Sequence, residues 1–121
     1  MGYRILIADD DAINLQLMAN LLKRHKSNYI VITANDGEEA CKLVEIHEPD
    51  LILVDWEMPK MTGIDATILI RKNNSTTPII AQTAFAMQGD EDRAIGAGCN
   101  DYITKPIDTA TLIRKMNHYL R

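Results

Sequence analysis

Asp9 and Asp10 directly follow the apolar run RILIA (Arg4–Ala8), Asp55 follows LILV (Leu51–Val54), Thr83 follows IIAQ (Ile79–Gln82) and Lys105 follows YIT (Tyr102–Thr104). Carboxylates brought to one place repel, and the repulsion is relieved by protonation or by a cation. An all-oxygen ligand set is hard and selects Mg²⁺ or Mn²⁺ over zinc or copper. An aspartate beside such an ion, with a hydroxyl and an ammonium in reach, suits an anion with several oxygens. Each group neutralises or hydrogen-bonds one oxygen of a transferring phosphoryl group, and aspartate itself serves as a phosphoryl-accepting nucleophile.

Taken singly, these residues have plainer readings. Asp9-Asp10-Asp11 reads as a solvated turn with Asp11 as a helix cap. Asp55 reads as a loop acid, Thr83 as a β-branched strand residue and Lys105 as a surface charge. Their shared position at strand ends is what reverses those readings. No Ser-His-Asp or Cys-His arrangement competes, because His25, His47 and His118 all fall within helical patterns.

The elements that must position these groups are legible from periodicity. After Arg4–Ala8, the residues Ile13, Leu17, Met18, Leu21 and Leu22 recur at helical spacing. Ile30–Thr33 is a second strand, and Asn35-Asp36-Gly37 supplies turn and cap chemistry for a helix carrying Ala40, Cys41, Val44 and His47. Glu48-Pro49-Asp50 stops it, Leu51–Val54 is a third strand, and a loop with Pro59 and Gly63 leads to a helix over Asp65–Lys72, closed by Asn73-Asn74-Ser75. Pro78 precedes a fourth strand, Ile79–Gln82. Asp90 is read as the cap of a helix through Ala97 that Gly96 weakens and Gly98 ends. Tyr102–Thr104 is a fifth strand, and Asp108 caps a last helix with Leu112, Ile113, Met116, Tyr119 and Leu120 on its apolar face.

Apolar strands alternating with amphipathic helices require a mostly parallel sheet covered on both faces, so the fold class is α/β, doubly wound. In such sheets ligands bind beyond the carboxyl ends of the strands. With the strand order 2-1-3-4-5, one of the two common ones, the first and third strands are neighbours and Asp9, Asp10 and Asp55 converge. Adjacent strands lie about 4.8 Å apart, so Thr83 is expected to reach Asp55 with a short hydroxyl, and Lys105 with a long stem from two strands away.

The bulk numbers bound the alternatives. A chain of 121 residues with 46% hydrophobic and 25% charged residues is expected to form one domain, residues 1–121. No apolar run reaches the roughly 18 to 20 residues of a membrane span, and Met1-Gly2-Tyr3-Arg4 lacks a signal-peptide layout, so a cytoplasmic location is expected. A net charge of -4 argues against a direct nucleic-acid surface. Cys41 and Cys99 have neither a close pairing nor a metal-ligand spacing and read as free thiols. Phe85 reads equally as a core or a rim aromatic, Met58, Met61 and Met87 as loop packing, and Trp56 as a partly exposed strand-end residue.

The sequence closely resembles the receiver domain of two-component response regulators over essentially its whole length. ILIADDD carries the acidic pair Asp9 and Asp10, LILVDWEMPKMTG carries the phosphoacceptor Asp55 with Pro59 and Gly63, TAFA carries Thr83, and YITKPI carries Tyr102, Lys105 and Pro106. The resemblance implies that Glu57 offers the metal a backbone carbonyl, that the Lys105-Pro106 bond is cis, and that phosphorylation draws Thr83 inward with Tyr102 following. It implies a histidine kinase or histidine phosphotransfer protein as phosphoryl donor. It also implies a downstream effector reading the face of the fourth helix, fifth strand and fifth helix, with a phosphorylation-dependent homodimer as a further form of output. No turnover of a separate substrate is expected. Gln82 departs from the family, which usually has an apolar residue there.

Two rivals share part of this pattern. A haloacid-dehalogenase-type phosphohydrolase also uses an aspartate and a lysine, but its nucleophile follows the first strand in a DxDxT/V pattern that Asp9-Asp10-Asp11-Ala12-Ile13 does not complete. A flavodoxin-like electron carrier needs a phosphate-cradling loop where this chain has three aspartates.

Overall fold

The computed structural model describes residues 2–26, 28–84 and 89–120; the readings of Phe85 and Met87 lie outside the described residues. Strands and helices alternate as β1 (Arg4–Ala8), α1 (Ala12–His25), β2 (Ile30–Ala34), α2 (Gly37–His47), β3 (Leu51–Asp55), α3 (Gly63–Asn73), β4 (Ile79–Thr83), α4 (Asp90–Ala97), β5 (Asp101–Thr104) and α5 (Thr109–Tyr119). The sheet order is β2-β1-β3-β4-β5 with every pairing parallel, as the alternation of apolar runs and amphipathic segments requires. No helix among the described residues is long and apolar enough to cross a membrane.

Because successive strand side chains alternate between faces, the sheet has two cores. Ile5, Ile7, Leu51, Leu53, Ile80 and Ile103 pack with Leu15, Met18 and Leu22 of α1 and with Leu112 and Met116 of α5. Leu6, Ala8, Ile52, Val54, Ile79 and Ala81 pack with Ala40 and Val44 of α2, Ile70 of α3 and Ala94 of α4, joined by Met58 and Cys99. Central β3 is buried along its full length, the reason it is apolar up to Asp55. Burial also pushes the Cys99 thiol up to about 11, so it is inert as a nucleophile at neutral pH.

Asp11, Asp36 and Asp108 cap α1, α2 and α5, accepting from the backbone N–H groups of Ile13, Glu39 and Thr111. Three helix details differ from the sequence reading. α3 starts at Gly63, before Asp65, because the Thr62 hydroxyl accepts from the Asp65 N–H at 3.2 Å and is the cap. α4 is not capped by Asp90: Gly89 holds the cap position at φ 90, a left-handed conformation that costs glycine little, and Asp90 is the buried first helical residue, paired with Arg93 at 3.3 Å. In α1 the apolar residues outnumber the places the sheet offers. Leu15, Met18 and Leu22 form the buried stripe, leaving Ile13 72% and Leu17 62% exposed.

Gln82 lies in β4 on the face that buries Ile80, 1% exposed, and its Oε1 has no hydrogen-bond partner among the described residues. A buried unpaired amide oxygen costs about 1 to 3 kcal/mol. Gln82→Leu, close in volume and without polar atoms, is therefore expected to stabilise the fold by roughly 1 kcal/mol, read as a higher urea midpoint at unchanged slope. A lower midpoint would show that the amide has a partner that leucine cannot replace.

Candidate functional site

The carboxyl ends of β1, β3 and β5 deliver the charged groups to one edge of the sheet. Asp9 directly follows β1, tied to β2 by its N–H donating to the Ala34 carbonyl at 3.1 Å, and Asp55 is the last residue of β3. Strand parity sends both side chains toward the α1 and α5 face, where Ile5, Ile7, Leu51 and Leu53 also point. One carboxylate oxygen from each of Asp9, Asp10 and Asp55 lies within 4.8 Å of the others; Asp9 and Asp55 are buried and Asp10 is exposed. Lys105 reaches across from β5, and its Nζ donates to Asp55 Oδ1 at 2.8 Å. The Lys105-Pro106 bond is cis. These groups line an open cleft of about 560 Å³ together with Asn14, Glu57 and Pro106.

The loop after β3 is built to keep Asp55 in place. The Trp56 N–H donates to the Gln82 carbonyl at 2.8 Å and extends the β3–β4 pairing by one residue, and the Gly63 N–H returns to the Trp56 carbonyl at 3.2 Å. A Cβ on Gly63 would lie 2.4 Å from the Asp55 carbonyl oxygen, so only glycine lets α3 begin against the strand end. The Glu57 N–H donates to Asp55 Oδ1 at 3.2 Å. Trp56 is half-buried, and Met58 is buried in the core on the other face.

Thr83 is placed differently from the sequence expectation. Asp55 pairs in register with Gln82, so Thr83, one residue further, points to the opposite face. Its hydroxyl donates to Glu57 Oε2 at 3.0 Å rather than to Asp55. Tyr102 pairs in register with Ala81 and, half-buried, packs on the same core as that residue, the side toward α4. Sequence reasoning missed two polar partners. Asn14 Nδ2 donates to Asp9 Oδ2, while the Asp11 N–H donates to Asp9 Oδ1 at 2.9 Å. The Glu57 carboxylate also accepts from the Ala84 N–H at 2.8 Å. A polar residue within the first turn of a helix behind an acidic pair was the available signal for Asn14; nothing in the sequence distinguished the Glu57 side chain.

Three hard oxygen donors beside an open mouth fit a divalent ion such as Mg²⁺, which takes few protein ligands and retains several waters. Without an ion, burial pushes the Asp55 carboxyl up to about 6 from its ordinary 3.8; the Lys105 hydrogen bond opposes this and the Asp9 charge adds to it. Burial works against the charge on Lys105, but its hydrogen bond to Asp55 and the carboxylates of Asp55, Asp9 and Glu57 outweigh that and hold its pKa above the ordinary value.

In the absence of divalent ions, Asp55 therefore keeps a proton in the native chain between about pH 4 and 6 that it has lost in the unfolded chain. Its contribution favours the fold at and below about pH 4 and is lost as the pH rises through about 6. Parent protein in EDTA should accordingly lose roughly 1 to 3 kcal/mol of stability over this window relative to Asp55→Asn, measured by urea unfolding at each pH. Parallel curves for the two proteins would contradict the raised carboxyl.

A family model for the response regulator receiver domain matches residues 5–117. The polar-differentiation response regulator DivK of Brucella anthropi is 37% identical, the alignment covering 99% of this chain and 98% of that protein. Among solved structures, the receiver domain of the sensor histidine kinase PA1611 of Pseudomonas aeruginosa, with a magnesium ion coordinated in its active site cleft, superposes with a TM-score of 0.89 at 35% identity, covering 99% and 98% of the two chains. The receiver domain of the Saccharomyces cerevisiae response regulator Ssk1, solved with the histidine phosphotransfer protein Ypd1, gives 0.88 at 29% identity, covering 98% and 88%. With the order β2-β1-β3-β4-β5 and an acidic cluster facing a lysine at the carboxyl edge of the sheet, the chain belongs to the response regulator receiver domain family.

Proposed function

We propose that the domain is a phosphoacceptor switch that takes a phosphoryl group from phosphohistidine onto Asp55. The observation that carries this reading is the buried Asp55 carboxylate, bonded to Lys105 Nζ at 2.8 Å and within 4.8 Å of the Asp9 and Asp10 oxygens. An Asp55 oxygen attacks phosphorus, the bond from phosphorus to the donor imidazole nitrogen breaks, and its electron pair stays on that nitrogen. The imidazole leaves neutral because its other nitrogen carries the proton. Lys105, already at the acceptor, neutralises charge on a transferring oxygen, and the Thr83 hydroxyl and Ala84 N–H, held by Glu57 in the unmodified chain, hydrogen-bond others once released from it. Mg²⁺, or Mn²⁺, would be held by Asp9, Asp10, Asp55 and the Glu57 carbonyl and would supply positive charge to offset that of the transferring phosphoryl group. Later attack of water on phosphorus returns Asp55 to the carboxylate and releases phosphate, so the domain processes only its own modification and turns over no separate substrate.

The donor class is a histidine kinase or a histidine phosphotransfer protein, in keeping with the Ssk1 receiver solved with Ypd1, and the exchange takes place in the cytoplasm. The output is a shift between two arrangements of the face formed by α4, β5 and α5. Thr83 and Tyr102 project to the same side of the sheet, which supports a path from the site to that face through these two residues. An effector protein or a second copy of the domain reads the shifted face.

Acetyl phosphate with Mg²⁺ is expected to add one phosphoryl group to the parent, seen by mass spectrometry, and none to Asp55→Ala. Equal labelling of the variant would remove Asp55 from the mechanism.

A further inference from the structure

Past the end of β3 the chain turns, and the half-buried Glu57 side chain reaches toward the end of β4. Its two oxygens take up two donors presented there: Oε2 accepts from the Thr83 hydroxyl at 3.0 Å, and Oε1 accepts from the Ala84 N–H at 2.8 Å. The same residue is anchored at its own N–H to Asp55 Oδ1 at 3.2 Å. A carboxylate spanning a hydroxyl and a backbone N–H reproduces the demand of a phosphoryl group, whose negative oxygens require several donors at once. The site therefore holds, before any modification, an anion on the donors that a modified Asp55 would call upon.

We infer that the Glu57 carboxylate is a resident surrogate for the phosphoryl group, occupying the Thr83 hydroxyl and the Ala84 N–H until phosphorylation of Asp55 displaces it from both. This rests on the phosphoacceptor reading above. Two consequences follow from the exchange. Modification gains hydrogen bonds to Thr83 and Ala84 only by breaking those to Glu57, so the surrogate slows phosphorylation and opposes the modified state. The end of β4 also has a defined acceptor in both states, which makes the change at Thr83 a swap between two anions and not the filling of an empty place. Side-chain substitution leaves the Glu57 carbonyl available to a metal, so occupancy of the donors can be tested apart from ion binding.

The test compares the full chain with Glu57→Ala and Glu57→Gln at saturating Mg²⁺, reading the rate of acetyl phosphate labelling and the amide resonance of Ala84. Glu57→Ala is expected to label roughly three- to ten-fold faster, with Glu57→Gln in between because the amide keeps one acceptor oxygen. In the unmodified parent the Ala84 amide proton should be shifted downfield and slow to exchange. Glu57→Ala should lose both features, and the Glu57 carboxylate carbon of the parent should shift when beryllofluoride, a mimic of the aspartyl phosphate, binds. An Ala84 amide indifferent to the substitution, or labelling of Glu57→Ala no faster than the parent, would overturn the surrogate. Glu57→Gln labelling as fast as Glu57→Ala would leave charge repulsion as the cause and also overturn it. An unlabelled parent would be a distinct result, overturning the phosphoacceptor reading itself and the surrogate with it.

Discussion

The hydrogen-bonded ion pair between Lys105 and Asp55 joins residues 50 positions apart in sequence and spans from β5 to β3 over the intervening β4. It can form only if the sheet is parallel, if β4 lies between its neighbours, and if both side chains leave their strands on the same face. The chain meets all three conditions through its apolar pattern. The run Leu51–Val54 buries β3 on both faces and stops abruptly at a charge, and Ile103 sets the parity that points Lys105 toward the α1 and α5 side. The pair is buried on the Asp55 side, at 3% side-chain exposure against 26% for Lys105, so removing the lysine would leave a buried carboxylate without its cation.

The same edge of the sheet is where the fold tolerates conflict. Asp9, Asp10 and Asp55 crowd their oxygens within 4.8 Å, and only one cation, Lys105, is bonded to them among the described residues. Local devices hold this arrangement. The Asp11 N–H and Asn14 satisfy Asp9, the Glu57 N–H helps to satisfy Asp55, and Gly63 lets the backbone of α3 close against the strand end. Gln82 is a second departure from local consistency, a buried amide that follows the apolar run Ile79–Ala81 and lies directly in register with Asp55. Sites of function are where such departures are expected.

The fold was legible because the physics that sets it is periodic. Mainly apolar runs of three to five residues marked each strand, the caps at Asp11, Asp36 and Asp108 marked helix starts, and the strand order followed from one of two common windings. The charged groups were legible because each lies directly behind its strand. Less legible were features set by tertiary context. Gly89 displaced Asp90 as a cap because backbone conformation, not side-chain chemistry, decides that position. Ile13 and Leu17 share the helical period of α1 but not its buried stripe, which depends on where the sheet ends. Thr83 was expected at Asp55 from strand spacing alone. Register and alternation together turn it to the other face, where Glu57 meets it, and register is invisible in a single sequence.

Trp56 gives the most direct access to the central claim that the acidic cluster and Asp55 form one metal-dependent acceptor site. It is half-buried, follows Asp55 directly, and joins it by backbone to Glu57. Indole emission should change saturably as Mg²⁺ is added, with modest affinity because the ion has few protein ligands. A second change should appear with beryllofluoride that requires both Mg²⁺ and Asp55. Emission that stays flat through both additions, in folded protein, would contradict the site.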